Sequence, residues 1–142
     1  MKNIAAIAFL IAATFTAAGS ASAQDAGVKA TVPFNFTVGD LALPSGTYTI
    51  RSSMPTPGAL VIRNWDAKVA VISLGEPTQG NNMQDNTLVF HKYGSQYFLS
   101  EIRSEGASMN VHFAATKAEK RARAQAEEAR LVVDDPVLIA LK

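Results

Sequence analysis

The chain has 142 residues, of which 48% are hydrophobic, with 13 Lys and Arg against 12 Asp and Glu and no cysteine. This near-neutral charge argues against nucleic-acid binding, which requires a positive surface. Without cysteine the chain has no disulfide, no thiolate zinc site and no thiol nucleophile.

The first 23 residues have the organisation of a secretory signal peptide. Lys2 precedes an unbroken apolar run over Ile4–Ala13, and small residues at positions 21–23 predict cleavage between Ala23 and Gln24. The run is about half as long as the ~20 residues that span a bilayer. We therefore expect export to the periplasm or the exterior, with no stable membrane insertion after cleavage.

Removal of residues 1–23 leaves 119 residues, 24–142, in which 12 basic residues balance 12 acidic ones. A chain of this length suits a single domain with its own hydrophobic core. The lack of cysteine favours bacterial export, because small secreted eukaryotic domains are commonly rich in disulfides.

Alternation of apolar and polar residues predicts most of the strands. Val28–Val38 alternates over its whole length, and Pro33 marks an edge or a bulge because proline cannot donate a ladder hydrogen bond. Val69–Ile72 is apolar on both faces, which predicts a strand that is covered on both sides. A polar loop is predicted over Gly75–Asn86. The other predicted strands are Thr47–Ser53, Ala59–Arg63, Thr87–Tyr93, Gln96–Ser104 and Met109–Phe113.

Gly94-Ser95 predicts a tight hairpin between two of these strands. A two-residue loop sets His91 opposite Phe98 and Val89 opposite Ser100. One face of the hairpin then carries Leu88, Phe90, Tyr97 and Leu99, and the other carries Val89, His91, Phe98 and Ile102. Since both faces are partly apolar, we expect a helix, another sheet or a partner to cover the face that bears His91.

A helix over residues 117–130 is the expected cover. Thr116 and Glu119 form a capping-box pattern, and the segment that follows lacks Gly, Pro and β-branched residues. Four alanines form the face expected to pack on the sheet: Ala118, Ala122, Ala126 and Ala129. Beyond the helix, Leu131–Val133 and Val137–Leu141 flank Asp134-Asp135-Pro136. They predict a final strand that is interrupted or turned at these three residues, as one strand or as two.

Together these elements predict a mainly β fold, namely an antiparallel β-sandwich or a small open β-barrel of about seven or eight strands. One C-terminal α-helix packs on it and a final strand follows.

Five stretches carry a resemblance to other proteins: Val32–Gly39, Leu43–Ile50, Leu88–Gly94, Tyr97–Glu101 and the helix start Ala118–Lys120. On these stretches the chain resembles a group of small exported bacterial proteins. The resemblance implies export, the strand order and a single domain. It implies no activity, cofactor or binding site.

The two histidines, His91 and His112, limit the possible catalysis. No nucleophile-elbow pattern is present, so we expect no enzyme; a hydrolase would need one of these histidines in a cleft, with a carboxylate within hydrogen-bond reach. We also expect no cofactor and no metal. His91 lacks a closely spaced second histidine, and it is predicted to lie on a different face from Glu101.

Binding is the function that the sequence favours. His91 and Tyr93 share one hairpin face, and Trp65 lies in a short turn next to Arg63; aromatic rings beside polar groups suit sugars or peptides. The leading prediction is a non-catalytic domain of the cell envelope or exterior that binds a protein, a glycan or a small ligand. One alternative is an apolar-ligand carrier with a barrel cavity lined by Phe34, Phe36, Tyr48, Ile50, Phe90 and Leu99. A hydrolase-like enzyme is the second alternative.

Overall fold

A computed structural model describes residues 27–53, 55–79, 86–104, 109–131 and 136–142. These residues form two β-sheets and one α-helix that is followed by a final strand, which confirms the predicted mainly β fold. The signal peptide and its cleavage site lie outside the described residues, as do residues 80–85 of the predicted polar loop. The elements are β1 (Gly27–Val32), β2 (Phe36–Val38), β3 (Leu41–Leu43), β4 (Gly46–Ser52), β5 (Ala59–Asn64), β6 (Val69–Leu74), β7 (Glu76–Pro77), β8 (Thr87–Tyr93), β9 (Gln96–Arg103), β10 (Val111–His112), α1 (Lys117–Glu128) and β11 (Val137–Ala140).

The described residues thus contain eleven strands rather than seven or eight, because β2, β3, β7 and β10 are short pieces of two or three residues. One sheet has the antiparallel order β1-β4-β5-β6, and the other runs β11-β8-β9-β10-β7 with β2 and β3 attached. Lys29 and Lys142 exchange two backbone hydrogen bonds, of 2.9 and 2.8 Å, which join β1 to the chain just beyond β11. The sheets therefore curl into a half-barrel.

The prediction of one continuous strand over Val28–Val38 is wrong. The strand breaks at residues 33–35, so that β1 belongs to the four-stranded sheet and β2 to the other. Pro33 stands at this corner. Because the chain is not paired in a ladder there, the missing backbone N–H of proline costs no hydrogen bond. Asn35 fixes the corner, because its Oδ1 accepts a 2.9 Å hydrogen bond from the Ser45 backbone N–H.

The core lies between the sheets and is aromatic at its centre. The Phe36 ring stands edge-on to Tyr48 and to Phe90, with centroid distances of 5.1 and 5.2 Å. All three side chains are at most 4% exposed. The Tyr48 hydroxyl donates to the Pro44 carbonyl, so this buried polar group is satisfied inside the core. Burial raises the pKa of Tyr48 above its usual value, although a hydrogen bond with Asn64 acts in the opposite direction.

The β8–β9 hairpin forms as predicted near its turn, with His91 opposite Phe98. Farther from the turn, the register shifts between Val89 and Phe90, so that Val89 faces Glu101 instead of Ser100. The shift is a β-bulge, which reverses the inward and outward alternation of the residues beyond it. As a result Ile102 lies in the central core, not on the face of His91 as predicted.

Helix α1 covers the second face of this hairpin. Thr116 caps it, since its side chain accepts a 3.3 Å hydrogen bond from the Glu119 backbone N–H. The buried helix residues are Glu119, Ala122 and Ala126. Ala118 and Ala129 are exposed, contrary to the predicted alanine stripe. The face is rotated because Glu119 points to the sheet and bonds His91 and Tyr93, instead of completing the capping box.

Candidate functional site

The four predicted binding residues lie in two separate places. Trp65 and Arg63 lie at the end of β5, on the outer face of the four-stranded sheet. His91 and Tyr93 lie on β8, in the other sheet and under α1. The structure therefore does not form one site from all four residues.

The Trp65 side chain is held on the surface by its neighbours. Asn64, at the end of β5, is only 2% exposed, and its Oδ1 accepts a 3.0 Å hydrogen bond from the Ala67 N–H. This bond shapes the turn over residues 65–68, a common role for asparagine. The Arg63 guanidinium lies 4.5 Å from the centre of the Trp65 ring, a cation–π distance. Trp65 nevertheless remains 67% exposed.

The outer face of the four-stranded sheet surrounds this pair. Strand register places the outward residues in rows: Arg51 is paired with Val61 and Val61 with Ile72, while Thr49 is paired with Arg63. We call this surface the Trp65 face. It comprises Gly27, Lys29, Thr31, Thr47, Thr49, Arg51, Ala59, Val61, Arg63, Ala70, Ile72 and Leu74, together with the flanking turn over residues 65–68.

The β6 side of the Trp65 face is apolar and open. Ile72 is 74% exposed and Leu74 is 69% exposed. The prediction that β6 is covered on both sides is therefore wrong. β6 is the last strand of its sheet, and within the described residues it pairs with β5 alone. An uncharged, apolar edge strand is unusual in a protein surface, where such edges are normally blocked by charge or covered.

Two depressions border the Arg63–Trp65 pair. One, of about 130 Å³, is lined by Thr49, Arg51 and Val61 in addition to the pair. The other, of about 250 Å³, extends toward β6 and includes Lys68 and Ala70. The first offers two guanidinium groups and a hydroxyl, which suit an anionic group. The second offers a mostly apolar wall together with the Lys68 ammonium and the Arg63 guanidinium.

The second place is a buried hydrogen-bonded cluster of His91, Tyr93 and Glu119. Glu119 Oε1 lies 2.8 Å from His91 Nδ1 and accepts a 3.2 Å hydrogen bond from the Tyr93 hydroxyl. Glu119 is 5% and Tyr93 4% exposed, whereas the His91 side chain keeps 35% of its surface. Tyr93 also packs with Phe98 and two helix alanines, Ala122 and Ala126. The cluster therefore fastens α1 to β8.

This cluster has half of the arrangement that the hydrolase alternative requires, namely a histidine with a carboxylate in hydrogen-bond reach. The other half is a hydroxyl nucleophile bonded to the second ring nitrogen. Within the described residues, no serine or threonine hydroxyl bonds His91. The bond to Glu119 holds the imidazole of His91 in place.

His112 belongs to a third group on the surface. Glu101 bonds Arg103, with Oε2 2.8 Å from Nε, and its Oε1 lies 3.9 Å from His112 Nδ1. The bulge places Glu101 opposite Val89, on the face that also carries His91, so the predicted separation of these two residues on different faces is wrong. Even so, the described residues contain no group of three side chains able to hold a metal ion.

Comparison with known proteins found no matching protein family, curated protein or solved structure. No helix among the described residues is both long and apolar enough to cross a membrane.

Proposed function

We propose that this chain is an exported, non-catalytic interaction domain that binds a partner with anionic and apolar groups through the Trp65 face. The observation that carries the proposal is the composition of this face. Its twelve outward strand positions hold three basic residues and two large, exposed aliphatic residues, and none of the twelve is a carboxylate. Exposed apolar groups of this size are commonly found at interaction sites.

The two histidines support a non-catalytic role. His91 bonds a buried carboxylate that anchors a helix, and His112 stands beside an ion pair of Glu101 with Arg103. Both arrangements have a structural explanation that needs no substrate. Export remains an inference from the sequence of residues 1–23.

The core packing counts against the apolar-ligand carrier. The residues that should line its cavity are in mutual contact, with Phe34 5.2 Å from Phe90 and Phe36 5.1 Å from Tyr48 between ring centres. Phe36, Tyr48 and Phe90 are buried together in one cluster. A ligand among them would have to displace packed rings, at a cost of several kcal/mol.

Trp65 provides a direct test, because it is the only tryptophan of the chain and lies in the proposed site. The purified protein is titrated with decyl phosphate below its micelle concentration, and Trp65 fluorescence is recorded. Decyl maltoside and decyltrimethylammonium carry the same chain with a neutral or a cationic head. We expect a saturable spectral change with the phosphate alone.

Charge variants then locate the site. Arg63→Gln removes one cation beside the ring, and we expect the dissociation constant to rise about fivefold, since one surface cation contributes about 1 kcal/mol. Lys120→Gln, on the exposed side of α1, is the matched control and should leave binding unchanged. Equal responses to all three heads, or equal binding by Arg63→Gln and wild type, would contradict the proposal.

A further inference from the structure

We propose that the partner of the Trp65 face is the surface of a lipid bilayer that contains anionic phospholipid. This inference rests on the proposed function and names the source of the anionic and apolar groups. It follows from the extent of the face, from its charge and from the position of its apolar residues.

The face is broad and formed by one side of a sheet. Its side chains come from all four strands, so their tips lie near a common surface. Lys29 on β1 and Ile72 on β6 stand three strand spacings apart, about 14 Å. A broad sheet face of this kind is better suited to an extended partner surface than to a ligand held in a deep cleft. The two depressions beside Trp65, of about 130 and 250 Å³, lie within it.

Basic residues occupy one part of the face. Lys29, Arg51 and Arg63 point outward from three adjacent strands, and Lys68 stands in the flanking turn. Asp66, in the same turn, is the one carboxylate among these positions. Such a cluster is attracted to lipid phosphates, because each cation near an anionic surface adds to the attraction.

Apolar residues occupy the adjacent part. Ile72, Leu74 and Trp65 are each at least two-thirds exposed. Aliphatic tips beside a tryptophan and arginines match the layer between lipid heads and acyl chains, where tryptophan is enriched. Shallow contact of this kind agrees with the expectation that the chain is not stably inserted in a membrane.

An extended peptide added to the β6 edge is the competing partner, since open edges accept such strands. A peptide there lies one strand spacing beyond β6, about 19 Å from β1, and so does not reach Lys29. It also leaves the outward tips of Ile72 and Leu74 uncovered, because edge pairing takes place in the plane of the sheet. The bilayer contacts both groups at once.

The test is co-sedimentation of the full chain with vesicles, its N-terminus being determined by mass spectrometry. Vesicles of equal parts phosphatidylglycerol and phosphatidylcholine are compared with phosphatidylcholine alone. We expect binding to the anionic vesicles only, with a blue shift of Trp65 emission. Raising the salt from about 0.05 M to about 0.5 M should weaken binding, because screening shortens the reach of the surface charge.

Paired variants assign the contact to this face. Ile72→Thr with Leu74→Thr removes the apolar part, and Lys29→Gln with Arg63→Gln removes two cations; we expect each pair to weaken binding at least tenfold. Leu138→Thr, at a leucine 58% exposed on β11, and Lys120→Gln are the matched controls. All variants share the same N-terminal segment, so any contribution from that segment cancels. Thermal melting shows whether each remains folded.

The possible results separate the two proposals. Equal binding to both vesicle types, or unchanged binding by both variant pairs, would overturn the bilayer inference. Binding of decyl phosphate without binding of vesicles would overturn it as well, and would leave the proposed function standing. If the protein binds a peptide of alternating Glu and Leu but does not bind vesicles, the partner is an extended peptide and not a bilayer.

Discussion

Replacement of Glu119 by alanine should weaken the attachment of α1 to β8, because this buried carboxylate joins the two elements. It accepts one hydrogen bond from Tyr93 and lies 2.8 Å from the His91 ring nitrogen. Each bond contributes about 1–1.5 kcal/mol net, and the His91 bond stands at the lower end because that ring is partly exposed. We therefore expect Glu119→Ala to lower the free energy of unfolding by about 2–3 kcal/mol. The Thr116 cap is unaffected, since it uses the backbone N–H of Glu119.

Urea denaturation followed by circular dichroism measures this change. Glu119→Gln keeps one acceptor oxygen and should lose about half as much stability, and Tyr93→Phe about 1 kcal/mol. The control is Glu127→Ala on the same helix, where an exposed carboxylate pairs with Arg123 at 3.0 Å. Such a pair contributes about 0.3–0.5 kcal/mol. A Glu119→Ala effect no larger than that of Glu127→Ala would refute the reasoning.

Two further predictions concern the core and the turns. Because the folded-state pKa of Tyr48 is raised, the folded state holds its phenolic proton more tightly than the unfolded state, so stability falls as the pH rises above the unfolded value of about 10. Tyr48→Phe lacks this ionisable group, so its stability should not show this loss. In urea titrations, we therefore expect the difference in unfolding free energy between wild type and Tyr48→Phe to be smaller at strongly alkaline pH than at neutral pH. The same difference at both pH values would contradict this prediction. Gly58 has φ +78°, and a Cβ there would meet the Gly75 carbonyl oxygen at 2.2 Å, whereas Gly39 has φ +59° and open space. We expect Gly39→Ala to cost about 1 kcal/mol in thermal melts and Gly58→Ala clearly more; equal costs would show that the close approach is unimportant.

Local signals account for the parts of the fold that the sequence predicted well. The Gly94-Ser95 turn fixes the β8–β9 register next to it, and Thr116 fixes the start of α1. Both signals act over a few residues, so their outcome depends little on the rest of the chain.

Prediction failed where the outcome depends on distant parts of the chain. The alternation of apolar and polar residues continues through Pro33, yet the chain changes sheets there. The reason is that β1 pairs with β4, whereas β2 pairs with β3 and β9 of the other sheet. The bulge between Val89 and Phe90 leaves no mark in the hydrophobic pattern, although it moves Ile102 to the core and Glu101 to the opposite face. For the same reason, Glu119 could be identified as a cap residue but not as the partner of a histidine 28 residues earlier.

The candidate site shows the same division. Trp65 and Arg63 are close in sequence, so the sequence alone predicts that the tryptophan lies beside the arginine in a short turn. The pattern over Val69–Ile72 predicts a strand covered on both sides, because an apolar strand is usually a covered one. A strand is central only if another strand pairs with it on each side. Within the described residues, β6 pairs with β5 alone and is therefore an edge strand. The pairing of Val61 with Ile72 then places the Ile72 side chain on the same outward surface as Arg63. An apolar strand expected to stabilise the core thus becomes part of the surface that we propose as a binding site.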